Sequence, residues 1–311
     1  MIDLDRVFPG AEMRRRPSSY TTSHVTEDVE ILHSGGRRLL LLLKHLGPGS
    51  LIPEARNTKP DFLHDPTREL YVYRHLLPAL DLGTARLYAT RRPAGRRSGW
   101  LLLERVNGVE LWQIGDMGSW VRVARWLATF HRRSAPLVTA CGGAPLLRYD
   151  SEYLARWPGR AAAFQAERPA RERTALARLS RSWQPLVERL SSIPKTILHG
   201  DFYPSNVLVD GPRVCPVDWE LAAIGPGVLD LAALVSGFQP AERLSLVRAY
   251  HEAAGPRRWW GGHEELAAAV NDARLYLCVQ WLGWAPGWEP PTEHARDWLA
   301  EAIELGEQRG W

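Results

Sequence analysis

The spacing of apolar residues changes character along the chain. Up to about residue 104 the apolar positions come in short runs broken by turn residues. Residues 25–32 and 37–46 flank His33-Ser34-Gly35-Gly36, a pattern that predicts two strands joined by a hairpin turn. Within the second, residues 39–43 are continuously apolar, as expected of a strand covered on both faces. Asp65-Pro66 then predicts a helix start, with Asp as N-cap and Pro in the first position. Leu70, Tyr73, Leu76 and Leu77 follow on one helical stripe. Trp100 opens another apolar strand that runs into the connector Glu104-Arg105-Val106-Asn107-Gly108. Further on, helical spacing dominates. Ser119 is expected to cap a helix that places Trp120, Val123, Ala124, Leu127, Phe130 and His131 on its apolar side. Residues 150–190 continue the helical pattern. The C-terminal segment carries Trp259, Trp260, Trp281, Trp284, Trp288, Trp298 and Trp311, with Pro286, Gly287, Pro290 and Pro291 forming a rigid loop among them. Most of these indoles are expected to be core.

One segment interrupts the helical part. Residues 193–198, 207–209 and 213–217 are again short apolar runs, and Asp210-Gly211-Pro212 reads as a tight turn between the last two. Asn206 therefore starts one hairpin arm and Asp218 ends the other, so the two side chains should lie together. Ahead of them stand His199 and Asp201. The pattern His-x-Asp-x-x-x-x-Asn, then a hydrophobic run ending in Asp, suits phosphoryl transfer on magnesium. One Asp accepts the proton of an attacking hydroxyl, while the Asn and the second Asp supply hard oxygen ligands to the metal. A bare Asp-x-x-x-x-Asn is a weak signal on a surface hairpin; the full string with His199 and Asp218 is a strong one.

Composition narrows the classes without choosing among them. At 311 residues, 45% hydrophobic and 24% charged, the chain suits one large or two modest globular domains. No apolar run is long enough to span a bilayer. Residues 1–10 carry Asp3 and Asp5 and do not read as a secretory signal. Cys141, Cys215 and Cys278 lack metal-ligand spacing and suit buried thiols in a reducing cytoplasm. The net charge of +4 includes arginine clusters at 14–16, 91–92, 96–97 and 132–133. These read as solvated faces of an Arg-rich protein, and nucleic acid is not expected as the primary partner. Lysine occurs only at positions 44, 59 and 195 among 39 basic residues. A generic positive charge here would be Arg, so Lys44 at the end of an apolar strand suggests a slim ammonium aimed at phosphates. Glu69, next to the helical stripe, is its expected partner; the alternative is a first-turn Glu favoured by the helix dipole.

The string from His199 to Asn206, followed by Val217-Asp218-Trp219-Glu220, resembles the aminoglycoside phosphotransferase family of the protein-kinase-like fold. Gly225-Pro226-Gly227-Val228-Leu229-Asp230-Leu231-Ala232 and the run around Glu69 resemble it too. The resemblance implies an α+β, two-lobed fold: a small antiparallel-sheet lobe over residues 1–104 and a larger, mostly helical lobe over residues 105–311. It implies transfer of the γ-phosphoryl group of ATP, with GTP not excluded, to a hydroxyl of a small molecule with magnesium. By resemblance Asp201 is the base, His199 steadies its loop, and Asn206 and Asp218 hold the metal. Lys44, set by Glu69, grips phosphates, and Glu104 and Val106 border the adenine through the connector. Asp230 braces the catalytic loop, with helix N-capping as its other reading. His131 reads as a packed histidine of the fold rather than a ligand. The chain departs from the kinase pattern in its phosphate loop: residues 18–24 contain no Gly, leaving Ser23 as the candidate contact there. That departure keeps a nucleotide-binding pseudokinase scaffold in view. The expected acceptor is a sugar, an amino sugar or a natural-product intermediate, with the Ser or Thr of a precursor peptide as the alternative. The acids Glu264, Glu265, Asp272, Glu289, Glu293, Asp297 and Glu301 would suit a polycationic acceptor.

Overall fold

The computed structural model describes residues 7–20, 23–32, 36–92, 99–256, 258–286 and 296–311. The hairpin turn at His33-Ser34-Gly35, residues Thr21 and Thr22, the arginines 96 and 97, Trp288, Glu289, Glu293 and the loop from Gly287 through Pro291 lie outside the described residues.

Strands β1 (Glu12–Pro17), β2 (Thr26–Leu32), β3 (Arg38–Leu46), β4 (Leu87–Arg91) and β5 (Gly99–Glu104) form one antiparallel sheet in the order β1-β2-β3-β5-β4. The expected pair appears as β2 and β3, in register from Thr26 against Lys44 to Leu32 against Arg38. The arginine cluster at 14–16 forms part of the first strand, β1. Its sequence lacks an apolar alternation, and the strand is held by backbone pairing with β2 and by cross-strand charge. Arg15 donates to both carboxylate oxygens of Glu27, at 2.9 and 2.8 Å. The apolar run 39–43 is covered on one face only. Leu41 and Leu43 are buried in the sheet's own core, while Leu40 is 45% exposed. Side chains alternate along a strand, so Lys44 lies on the same face as Leu40 and Leu42.

A short helix, Pro53–Thr58, follows β3, and the helix predicted from Asp65-Pro66 begins at Arg68, later than expected. Asp65 accepts from the Thr67 amide at 2.8 Å and the Thr67 hydroxyl at 2.6 Å, closing a turn ahead of the helix instead of capping it. The helix is α over Arg68–Tyr71, π over Val72–Leu76 and α again over Leu77–Leu80. Pro78 has no amide to give and crowds the preceding turn, which accounts for the widened turn before it. The predicted stripe Leu70, Tyr73, Leu76 and Leu77 is buried throughout.

The C-terminal part contains β6 (Val109–Glu110), β7 (Leu147–Arg148), β8 (Lys195–Leu198), β9 (Val207–Asp210), β10 (Arg213–Pro216) and β11 (Ala223–Pro226), in two small sheets. The rest is helical. Met117–Ser134 packs against Pro240–Ala253, and the central helix His263–Leu282 packs against Val228–Leu234 and Trp298–Glu307. The cap of the first of these is Asp116, which accepts from the amides of Gly118 and Ser119 at 3.1 and 2.9 Å. Ser119, the expected cap, sits buried in the first turn instead. The region 150–190 is helical as expected, and the three cysteines are free and buried. Among the described residues no helix is long and apolar enough to cross a membrane. The architecture is α+β, with an antiparallel sheet first and a mainly helical part after it.

Candidate active site

Strand β8 delivers the chain into the loop from His199 to Asn206, and the backbone there is set by two features. The first is Gly200, whose φ of 84° favours glycine and where a Cβ would fall 2.0 Å from the Leu221 carbonyl oxygen. The second is Asp230, which accepts from the His199 amide at 2.7 Å and the Gly200 amide at 3.0 Å. Asp230 lies within the helix Val228–Leu234, where Gly227 is the N-cap, so it braces the loop and does not cap the helix. Its Oδ2 also meets His131 Nε2 at 3.2 Å, and His131 Nδ1 meets the Tyr250 hydroxyl at 2.7 Å. His131 is thus a packed histidine, as expected, and also the support behind the brace.

His199 is fully buried against Trp219, with ring centroids 4.4 Å apart. Burial holds its imidazole below the ordinary range, so the ring is neutral. A neutral ring can donate from Nε2 to the Val217 carbonyl at 2.9 Å and accept the Asp201 amide at Nδ1 at 3.3 Å. His199 thereby ties the loop to the strand end that carries Asp218.

The hairpin β9–β10 does what its sequence predicts. Val207 pairs with Pro216, and the Val217 amide donates to the Asn206 carbonyl at 2.9 Å. Asn206 donates its side-chain amide to the Asp201 carbonyl at 2.9 Å and to the Asp201 carboxylate at 2.8 Å. Asp218 adopts the left-handed conformation, with φ 63° and ψ 65°, which Asp tolerates better than most side chains. Its Oδ1 lies 2.7 Å from Lys44 Nζ, and Glu69 Oε2 lies 2.8 Å from the same nitrogen. Three distant segments therefore meet at Lys44, and the Asp201–Asn206 loop is tied to the Asp218 end through the Val217 backbone. Burial alone would depress Lys44, but the carboxylates of Asp218, Glu69 and Glu220 outweigh it and drive the ammonium above the ordinary lysine value. Burial first, and the Asp218 and Glu220 carboxylates second, push Asp201 up to about 7.

Asp218 and Asn206 fit a magnesium site shared with phosphates. The Asn206 amide nitrogen is occupied by Asp201, which leaves its hard oxygen as the free donor, beside one carboxylate of Asp218. Among the described residues no three His, Cys, Asp or Glu side chains form a protein-only metal cage.

The remaining predicted residues are placed as follows. Glu104 receives Arg213 on both carboxylate oxygens, at 2.5 and 2.8 Å, and the Arg86 amide at 3.1 Å. That carboxylate fastens β5 to β10. Val106 is buried in the connector, and its carbonyl accepts from Arg105 at 3.4 Å. Ser23 donates its hydroxyl to Glu220 at 2.5 Å. Of the acids expected to serve a cationic acceptor, Asp272 is held by Arg189 and Arg309, Glu301 by Arg274 and Arg296, and Asp297 caps the helix Trp298–Glu307.

Three side chains of the cluster, Glu220, Lys59 and His24, were not singled out by the sequence. Glu220 Oε2 lies 2.6 Å from Lys59 Nζ and 3.7 Å from His24 Nε2. Burial, and then the Lys44 charge, hold His24 down at about 3, so its ring is neutral. Burial would raise Glu220, but Lys59 and Lys44 overcome it and keep this carboxyl well below the usual range. The scarcity of lysine that singled out Lys44 applied equally to Lys59.

The sequence profile of the phosphotransferase enzyme family matches residues 41–268. Among curated proteins no sequence match was found. Among solved structures, an aminoglycoside phosphotransferase described as putative, from Ralstonia eutropha, superposes with a TM-score of 0.64 at 15% identity, covering 98% of this chain and 96% of that one. A choline kinase from Cryptosporidium parvum superposes with a TM-score of 0.64 at 14% identity, covering 98% and 94%. The GDP complex of a mutant aminoglycoside 2'-phosphotransferase IIIa superposes with a TM-score of 0.62 at 15% identity, covering 99% and 95%. At these identities the likeness establishes the fold.

Proposed function

Because this chain belongs to the phosphotransferase enzyme family, we propose that it moves the γ-phosphoryl group of ATP to a hydroxyl of a small molecule with magnesium. The observation that carries the reading is the contact chain Glu69–Lys44–Asp218 beside Asn206–Asp201, which gathers a half-buried base, two oxygen donors and a cation. The reading also takes the nucleotide to lie in a cleft between an N-terminal lobe, residues 1–104, and a C-terminal lobe, residues 105–311.

Asp201 orients the acceptor hydroxyl and takes its proton. The acceptor oxygen bonds to the γ-phosphorus as the bond from that phosphorus to the bridging oxygen breaks, and ADP leaves with the bond's electron pair. Lys44, held by Glu69, grips the phosphates. Asn206 and Asp218 would hold magnesium, which when bound would neutralise charge on the phosphate oxygens. His199 and Asp230 act on the loop, not on the substrate. Most of the rate would come from positioning and charge neutralisation. Since the Ser23 hydroxyl is engaged by Glu220, a phosphate contact from Ser23 would be made by its backbone amide. Every base and metal position of the segment is filled, which favours an active transferase over a pseudokinase scaffold. The acceptor is expected to be a sugar, an amino sugar or a natural-product intermediate.

The test is thermal stabilisation by ATP and by GTP, each with and without magnesium, beside Asp218→Asn. A ligand of the folded state raises the melting temperature by mass action. A magnesium-dependent rise that Asp218→Asn abolishes supports the site. Stabilisation by neither nucleotide overturns it.

A further inference from the structure

Phosphoryl transfer places negative charge on the oxygens of the moving group, and something cationic must face it. The catalytic loop supplies none: between Asp201 and Asn206 stand Phe202, Tyr203, Pro204 and Ser205. Lys44 is already bound by two carboxylates. Lys59 is the other buried lysine of this region, only 8% exposed, and reaches Glu220 at 2.6 Å. Glu220 is two positions beyond Asp218. A cavity of about 480 Å³ lies against the pair, lined among others by His24, Arg56, Lys59, His64, Glu69 and Glu220.

A purely mechanical role for Lys59 would be to staple the segment before the Arg68 helix to the C-terminal part. Arg68 already does this. It is buried and donates to the carbonyls of Leu63 at 2.9 Å, Pro145 at 3.0 Å and Glu220 at 2.7 Å. Burying an ammonium is costly. In a chain that uses Arg for nearly every other positive charge, a buried Lys beside the metal-binding strand calls for another reason.

We propose that Lys59 is a second phosphate-directed lysine, which contacts the γ-phosphoryl group in transit, with Glu220 holding its ammonium in position. This rests on the phosphotransferase reading of the site. In the step, the bond to the acceptor oxygen forms and the bond to the ADP oxygen breaks as above, and Lys59 keeps its protons throughout. Its contact is made to the transferring group and not to the α- or β-phosphate, so it should matter more in the transition state than in the ground state.

The experiment compares wild type, Lys59→Gln and Lys59→Arg for binding of magnesium–ADP alone and of magnesium–ADP with aluminium fluoride, a mimic of the transferring group, and for slow hydrolysis of ATP to water. Lys59→Gln is expected to bind magnesium–ADP within about threefold of wild type, to lose tenfold or more of the extra affinity that fluoride confers, and to hydrolyse ATP roughly a hundredfold more slowly. Lys59→Gln with the full fluoride effect overturns the inference, as does equal loss of both affinities. If Lys59→Gln fails to fold, Lys59→Arg decides: it can still pair with Glu220, so a wild-type fluoride effect there marks a staple that any cation serves, and a reduced one supports the phosphate contact. Wild type that binds no magnesium–ADP removes the phosphotransferase reading itself, and the inference falls with it.

Discussion

The carboxylate of Asp230 reaches back 31 positions to accept the His199 amide at 2.7 Å, and its other oxygen takes the Gly200 amide at 3.0 Å. Neither amide belongs to a helix or a ladder at that point, so the helix Val228–Leu234 satisfies the loop that strand pairing cannot. Asp230→Ala would leave the buried His199 amide and the half-buried Gly200 amide unpaired. Stability is expected to fall by about 2–6 kcal/mol, since each unsatisfied buried donor costs about 1–3 kcal/mol. Urea denaturation measures this directly. Turnover should fall much further than nucleotide affinity, because the brace acts on the Asp201 loop and not on Lys44.

Gly200 is required for space as well as for its φ of 84°. In Gly200→Ala the new Cβ meets the Leu221 carbonyl, a backbone atom that cannot swing aside. Left-handed strain costs about 1 kcal/mol and the overlap adds to it, giving a loss of about 3 kcal/mol or more. The denaturation midpoint should shift down without a change in slope. A shift of less than about 1 kcal/mol would mean that the Leu221 turn is loose.

How much of this was legible in sequence depended on how local each feature is. The hairpin carrying Asn206 and Asp218 is specified by a turn and two short apolar arms, so the adjacency could be read directly. The pair of Lys44 with Glu69 was legible through residue choice, because lysine is rare here. Strand β1 was not, since its run Met13-Arg14-Arg15-Arg16 shows no alternation, and its order comes from partners on β2. The helix cap at Asp116 competed with Ser119, an equally good capping residue three positions on, and only the three-dimensional entry angle separates them. The Glu220 cluster joins Ser23, Lys59 and the end of the hairpin from three remote segments, and no spacing rule connects them.

Glu104 offers a test of what the connector contributes. Its carboxylate is bound by Arg213 and the Arg86 amide, and Arg213 also donates to the carbonyls of Gly83 and Thr84. Glu104→Gln should therefore weaken the joint between β5 and β10, by about 1 kcal/mol for a partly exposed ion pair. Nucleotide affinity should stay within about threefold, because any contact with a base comes from the backbone here, which the substitution keeps; a twofold change in affinity is only about 0.4 kcal/mol. Calorimetric titration with ATP and magnesium checks this. A loss of affinity far beyond threefold would place the side chain itself in the nucleotide site.

Asp201 should make the metal-free protein less stable as pH rises. Burial, with the Asp218 and Glu220 carboxylates, lifts its folded value from 3.8 to about 7. Between those values the folded chain keeps a proton that the unfolded chain has released, so the slope of stability against pH is negative. The contribution is fully present near pH 4 and is lost as pH rises through about 7, amounting to at most about 4 kcal/mol for three units. Asp201→Asn removes the titration and retains an acceptor for the Asn206 amide. The two proteins should thus diverge steadily between pH 4 and pH 8, with the variant the more stable at the upper end. The same ionisation creates the base, so hydroxyl phosphorylation by the wild type should climb along a one-proton limb across this range, while Asp201→Asn stays inactive throughout. Bound magnesium adds positive charge beside the carboxylate and should move that limb to lower pH. A stability difference that does not change between pH 4 and pH 8 would show that Asp201 is ionised over the whole range. Its burial would then be offset by groups stronger than Asn206 and Lys59, and the rise in activity would have to come from elsewhere.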